Sequence, residues 1–208
     1  MRFAVAILAF SLLGIALPAH ADIQRSGPEV WPGKHELSAN LGYQIGFGQS
    51  VGDTSGMKLT GEYAYRFHPF VWFDAQLNQT FGLGARDGLC AKDITKICYR
   101  GGWATQFAAG VKLKFVTRIP LVIEVPILLG ITGLYARECG DDSVAVPVAR
   151  FGGGIKYFLK PRIAVGASIN FDMGPAFHDS TPCKTGGRFT DFYGSFDFQV
   201  GAEFILGN

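Results

Sequence analysis

The sequence predicts an all-β protein, an eight-stranded antiparallel up-and-down transmembrane β-barrel with short turns at one end and longer loops at the other. Three observations predict it. The chain opens on an export signal, yet no later stretch could cross a bilayer as a helix. Eight segments then alternate apolar and polar residues with a period of two. The connections between them alternate short and long. The expected organisation is a signal peptide over residues 1–21, a periplasmic lead-in over 22–34 and the barrel over 35–208.

Arg2 supplies the positive start of the export signal, residues 3–17 its apolar run, and Ala19-His20-Ala21 a small-residue cleavage site, so the mature chain begins near Asp22. The apolar run is short and ends in Pro18, which argues against a membrane anchor. Beyond it, the most apolar stretch, residues 121–134, is interrupted by Glu124 and Pro126. It falls short of the roughly 20 apolar residues a spanning helix needs. In lipid only helices and closed barrels satisfy every backbone polar group, so an exported, aromatic-rich chain without such a helix points to a barrel. The formal charge of +2 leaves no footprint for a nucleic-acid partner.

Strand side chains point alternately to opposite faces, so parity assigns each residue to lipid or lumen. The first segment sets Leu37, Ala39, Leu41, Tyr43, Ile45 and Phe47 outward against Glu36, Ser38, Asn40, Gly42, Gln44 and Gly46. The second sets Met57, Leu59, Tyr63, Tyr65 and Phe67 against Lys58, Thr60, Glu62, Ala64 and Arg66, and the third Val71, Phe73, Leu77 and Phe81 against Trp72, Asp74, Gln76, Asn78 and Thr80. In the fourth, Trp103, Phe107, Val111, Leu113 and Phe115 oppose Gln106, Gly110, Lys112 and Lys114. The fifth is the most apolar, with Glu124, Gly130 and Thr132 inward, and the sixth turns Arg150, Gly152, Gly154 and Lys156 inward. The seventh carries Gly166, Ser168, Asn170 and Asp172 on its inner face. The eighth alternates Phe192, Phe196, Phe198, Val200, Phe204 and Leu206 with Asp191, Tyr193, Ser195, Asp197, Gln199, Gly201 and Glu203.

Residues 68–70, 116–120 and 160–162 read as short turns; 49–56, 84–102, 137–145 and 175–188 read as longer polar loops. Outer-membrane barrels have short periplasmic turns and longer external loops, so the N-terminus is placed in the periplasm and the chain in a bacterial outer membrane. The end of the last segment, with Gln199, Gly201, Phe204 and Leu206 in the order polar, any, Gly, any, any, apolar, any, apolar, resembles the C-terminal β-signal of such proteins. That resemblance implies the barrel assembly machinery as a partner in biogenesis. The whole pattern resembles the OmpA/OmpX-like group of eight-stranded outer-membrane barrels, across the mature chain. It implies outer-membrane lipids and lipopolysaccharide as surroundings and a monomer; as a departure from full-length OmpA, no peptidoglycan-binding domain is expected after the barrel, and so no wall-anchoring role. The chain departs from the usual aromatic end, since Gly207-Asn208 follow Leu206.

Inward charges must meet across hairpins, and turn lengths set which ones do. If Leu159 faces Ile163, Arg150 lands opposite Asp172; if Phe115 faces Leu121, Lys112 lands opposite Glu124. If Phe67 faces Val71, Arg66 lies diagonal to Asp74. An eight-stranded barrel has an interior just wide enough for its own side chains, so these charges read as a salt-bridged plug rather than a selectivity lining. No large continuous pore is expected.

Cys90, Cys98, Cys139 and Cys183 all fall in the long loops, and an even number in an exported chain implies disulfides. Three connectivities are possible; Cys90–Cys98 with Cys139–Cys183 is favoured, because the latter joins loops whose intervening strands are neighbours. No CxxC or His spacing suggests a metal site, and no cofactor is expected. His178 and Ser180, with Asp191 downstream, loosely resemble the base, nucleophile and acid of lipid A 3-O-deacylases. Thr181 stands where that family has Asn, and no catalytic residue is assigned. His35 and His68 read as solvated. The function expected is that of a structural or surface-interaction barrel acting through its external loops. Inward glycines such as Gly42, Gly46, Gly152, Gly154 and Gly166 raise the alternative of a narrow channel or small-ligand conduit, and the His-x-Ser pair that of a lipid A-modifying hydrolase.

Overall fold

Eight antiparallel strands follow one another in chain order, and the first pairs with both the second and the last. The computed structural model describes residues 33–48, 55–84, 102–117, 119–135, 143–179 and 188–206. The strands are β1 (His35–Gly48), β2 (Ser55–His68), β3 (Val71–Gly84), β4 (Gly102–Val116), β5 (Leu121–Tyr135), β6 (Ser143–Lys160), β7 (Ile163–Asp179) and β8 (Arg188–Leu206). Closure removes both sheet edges, which is what lets a β-structure sit in hydrocarbon. The seam is the β1–β8 ladder, running from His35↔Leu206 to Gly48↔Tyr193.

The faces are inverted relative to a water-soluble core. Leu129 is 73% exposed and Ile131 61%, whereas Glu36 is 1% and Lys114 0% exposed. A soluble barrel would hide the first pair and hydrate the second. Here the apolar belt fits lipid and the charged groups pair with one another inside.

The turns differ from expectation in an instructive way. At two hairpins the turn is one residue shorter than the sequence suggested, His68↔Val71 around Pro69-Phe70 and Lys160↔Ile163 around Pro161-Arg162. In each, a bulge (between Arg66 and His68, and between Phe158 and Lys160) restores the residue. Proline presets the backbone for the first corner of a tight turn, and a bulge adjusts the twist that such a turn imposes on a hairpin. The register along the strands is therefore the expected one, with Ala64↔Asp74 and Arg150↔Asp172. At the β4–β5 hairpin the register differs by two residues: Phe115 faces Ile123, not Leu121. The ladder runs on to Val116↔Val122, and the Thr117 amide donates to the Leu121 carbonyl at 3.0 Å while its hydroxyl lies 2.9 Å from the same oxygen, so the turn closes one residue further along the chain. A two-residue slip preserves parity, so every side chain keeps its face.

At the loop end the strands run further than the polarity of the sequence suggested. β6 begins at Ser143, and β7 extends to Asp179 opposite Arg188. A bulge at Gly82, whose φ of 67° is left-handed, bends β3 near this end.

Candidate functional site: the charged lumen

Inside the barrel the side chains stack in layers along its axis. At the turn end Val122, Phe158, Ala164 and Ile205 form a buried apolar plug, with Val116 packed beside it. In the loop-ward half, Ala104, Leu134, Val146 and Val148 are also buried inside the wall of β4, β5 and β6. The parity reading had stressed polar inward residues and missed this second apolar patch. Its signal was legible: the start of β6, Ser143-Val144-Ala145-Val146-Pro147-Val148, loses the polar alternation that the other strands keep.

Between the apolar patches lie two charge clusters. In the first, Arg150 is the hub. Its Nη1 donates to Asp172 and to Asp197, both at 2.8 Å, and its Nε donates to Gln76 Oε1 at 2.9 Å. Lys58 Nζ donates to Asp197 at 2.7 Å and lies 3.5 Å from Asp172. The remaining carboxylate lone pairs are met by Gln106 and Ser195 on Asp172, and by Asn170 and Gln199 on Asp197. Two cations thus balance two anions, and strands β2, β3, β4, β6, β7 and β8 are cross-tied through one guanidinium and its neighbours.

The second cluster is nearer the turns and richer in acid. Lys112 donates to Glu62, lies 3.2 Å from Asp74 and 4.0 Å from Glu124. Lys114 donates to Glu36 and lies 2.7 Å from Glu124 and 3.8 Å from Glu203. Lys156 donates to Glu203 and lies 3.0 Å from Glu124. Carboxylate oxygens of Glu36, Glu124 and Glu203 all lie within 4.8 Å of one another, a spacing that could hold a metal ion. The Lys114 ammonium already bonds or approaches all three, so they act as its cage. It also sits 4.4 Å from the Trp72 ring centroid, a cation–π contact that helps replace lost hydration.

The sequence-predicted pairs fare differently. Arg150 and Asp172 face each other and bond at 2.8 Å. Lys112 does not lie opposite Glu124; Lys114 does, because of the two-residue register difference, and Lys112 reaches Glu124 only diagonally at 4.0 Å. Arg66 and Asp74 do not pair. Arg66 faces Trp72 and lies over its ring at 5.8 Å, while Asp74 is held by Lys112. Register arithmetic found the acidic and basic rows but could not anticipate ties across the barrel, such as Lys58–Asp197 and Arg150–Gln76, which join residues far apart in strand order.

The assembly-pattern residues lie on the seam, Gln199↔Gly42, Gly201↔Asn40, Phe204↔Leu37 and Leu206↔His35. Phe204 and Leu206 face outward and Gln199 is buried. A Cβ on Gly201 would come within 2.3 Å of the Ala39 carbonyl oxygen, so close approach of β1 demands glycine there. His178 and Asp191, expected in or beside a loop, have their backbones in the β7–β8 ladder at His178↔Phe189 and Ala176↔Asp191. Ser180 and the four cysteines, Cys90, Cys98, Cys139 and Cys183, lie outside the described residues. His35, expected to be solvated, shares a 2.8 Å hydrogen bond with the Tyr63 hydroxyl, and His68 Nδ1 accepts from the Phe70 amide at 3.4 Å. Among the described residues neither of these imidazoles bonds to a serine or a carboxylate.

A cavity of about 30 Å³ lies beside the second cluster, bordered by Glu62, Gln76, Lys112, Glu124, Lys156 and Glu203. That is room for about two waters. Among the described residues, buried charge pairs occupy the lumen at the level of both clusters.

No protein-family model and no curated protein sequence matches the chain. Solved structures do match in fold. One is Neisserial surface protein A (NspA), at 11% identity over 83% of this chain and 97% of that one, with a TM-score of 0.57. Another is the outer-membrane protein OprG of Pseudomonas aeruginosa, at 9% identity over 86% and 99%, with a TM-score of 0.50. At such identities the likeness is one of architecture: this chain is an eight-stranded barrel of the outer-membrane type.

Proposed function

We propose that the protein is a structural or surface-interaction barrel of a bacterial outer membrane, with any specificity carried by its long loops. The reading rests on one observation, the charge-paired lumen. Arg150 with Asp172 and Asp197, and Lys114 with its three glutamates, spend the interior on internal bonding, so the barrel works as a rigid stake that presents loops. In this reading the chain is exported, loses residues 1–21, and holds its turns in the periplasm and its loops outside. Cys90–Cys98 and Cys139–Cys183 then stiffen the exposed rim. It carries no catalytic role for His178, Ser180 and Asp191, and it is a monomer surrounded by outer-membrane lipid and lipopolysaccharide, inserted by the barrel assembly machinery. Planar-bilayer recording tests the core of the proposal. Insertion without steady conductance is expected; discrete, stable openings would overturn it in favour of a narrow channel.

A further inference from the structure

We propose that the turn end of the barrel carries a binding surface for an anionic glycerophospholipid, built from Lys34, Lys160 and Arg162 beside the lipid-facing Leu159, Phe204 and Leu206. The three cations are exposed and form no ion pair among the described residues. Among the described residues the carboxylates nearest this end, Glu36 and Glu203, are each 1% exposed and bound to Lys114 and Lys156 inside the lumen. Among the described residues the turns themselves contribute His68 but no acid. Among the described residues the rim is therefore of one sign, with no exposed carboxylate on the turns to neutralise it.

Backbone pairing fixes where the cations sit. His35 faces Leu206 across the seam, and the Ile205 amide donates to the Arg162 carbonyl at 3.0 Å. Lys34 and Arg162 thus flank the end of β8 from β1 and β7, two strand spacings or roughly 10 Å apart. Lys160 lies across the Pro161-Arg162 turn from Ile163. Between and beside these charges, Leu159 is 59% exposed, Phe204 50% and Leu206 44%. A cation rim resting on an apolar wall matches a phosphate headgroup whose acyl chains run along the barrel. The hydrogen-bonded His35–Tyr63 pair stands on the same outer face at the level where a glycerol backbone would lie. A soluble or cell-wall polyanion would match the cations but leave Leu159, Phe204 and Leu206 without a partner, which is why a lipid is favoured.

Native mass spectrometry of the full mature chain, refolded in neutral micelles, tests this in either orientation of the barrel. Phosphatidylglycerol is titrated against phosphatidylcholine of the same acyl chains. Retention of phosphatidylglycerol in preference is expected, falling about fivefold for each cation removed among Lys34→Gln, Lys160→Gln and Arg162→Gln. Lys92→Gln, in a long loop, should leave the preference unchanged. Lys34, Lys160 and Arg162 are exposed, and heat-modifiable gel mobility checks that each of the four variants is folded. Equal retention of the two lipids by the wild type overturns the proposal, as does a preference that survives the triple substitution. Retention on peptidoglycan sacculi without any lipid preference would assign the rim to the cell wall instead.

Discussion

Replacing Lys114 by methionine keeps most of the side chain's length and removes its charge. In the native barrel Lys114 is 0% exposed, donates to Glu36 and stands 2.7 Å from Glu124 and 3.8 Å from Glu203. Without it, three buried carboxylates within 4.8 Å of one another are left with Lys156 as their principal counter-charge. At an effective dielectric of about 20, two unit charges 4.8 Å apart repel by roughly 3 kcal/mol. Measured removals of one partner from a buried ion pair cost about 3–5 kcal/mol, because the other partner stays buried and unmatched. We therefore expect Lys114→Met to lower stability by about 3–5 kcal/mol in reversible urea unfolding from micelles, with an unchanged slope. Adding Glu36→Gln should recover a large part of that loss, since the charge left without its closest cation is then gone. A loss below about 1 kcal/mol, or a double variant no better than the single, would falsify the claim that Lys114 is the keystone of a closed cluster.

Other expectations follow from the same geometry. Arg150→Leu should destabilise by about 3–5 kcal/mol, and Arg150→Lys should recover less than half, because one ammonium cannot reproduce contacts made from Nε, Nη1 and Nη2; the same urea titration reads both. Gly201→Val should cost about 1–3 kcal/mol even when refolded in micelles without any assembly factor, since its Cβ would crowd the Ala39 carbonyl. Wild-type stability of that variant would make Gly201 a matter of recognition alone. Phe158→Ala should cost about 3–5 kcal/mol by opening a cavity in the turn-end plug, seen as a lower urea midpoint. Peptide mapping without reductant should find Cys90 linked to Cys98 and Cys139 to Cys183; free thiols would remove the bridged-rim reading.

Much of the fold is legible in the sequence because a membrane barrel repeats one simple rule. Leu37, Leu41 and Ile45 outward against Glu36, Asn40 and Gln44 inward is a pattern with a period of two, and parity alone sorts the faces. Strand extents were harder. Pro175 and the polar residues around it read as loop, yet Pro175 faces Phe192 within the β7–β8 ladder, because pairing between two neighbours can continue wherever backbone partners remain available. Proline turns were visible as Pro69 and Pro161, but the bulges that compensate them were not, since a bulge reflects sheet twist rather than residue type. The β4–β5 register failed for a related reason: the Thr117 hydroxyl and amide both engage the Leu121 carbonyl and shift the turn one residue along the chain, and no spacing rule announces that.

What the sequence determined by itself was the class, the strand order, the inside-out faces and the presence of both signs of charge in the lumen. All of these follow from alternation and nearest-neighbour pairing, which are local properties of the chain. Which cation meets which anion was decided only by the tertiary structure. Curling the sheet into a closed barrel brings β2 across to β8 and β3 across to β6, so that Lys58 finds Asp197 and Arg150 finds Gln76. Lys114 is enclosed by glutamates from β1, β5 and β8 for the same reason. Those contacts depend on the diameter and stagger of the closed barrel, which belong to all eight strands together and are written in none of them.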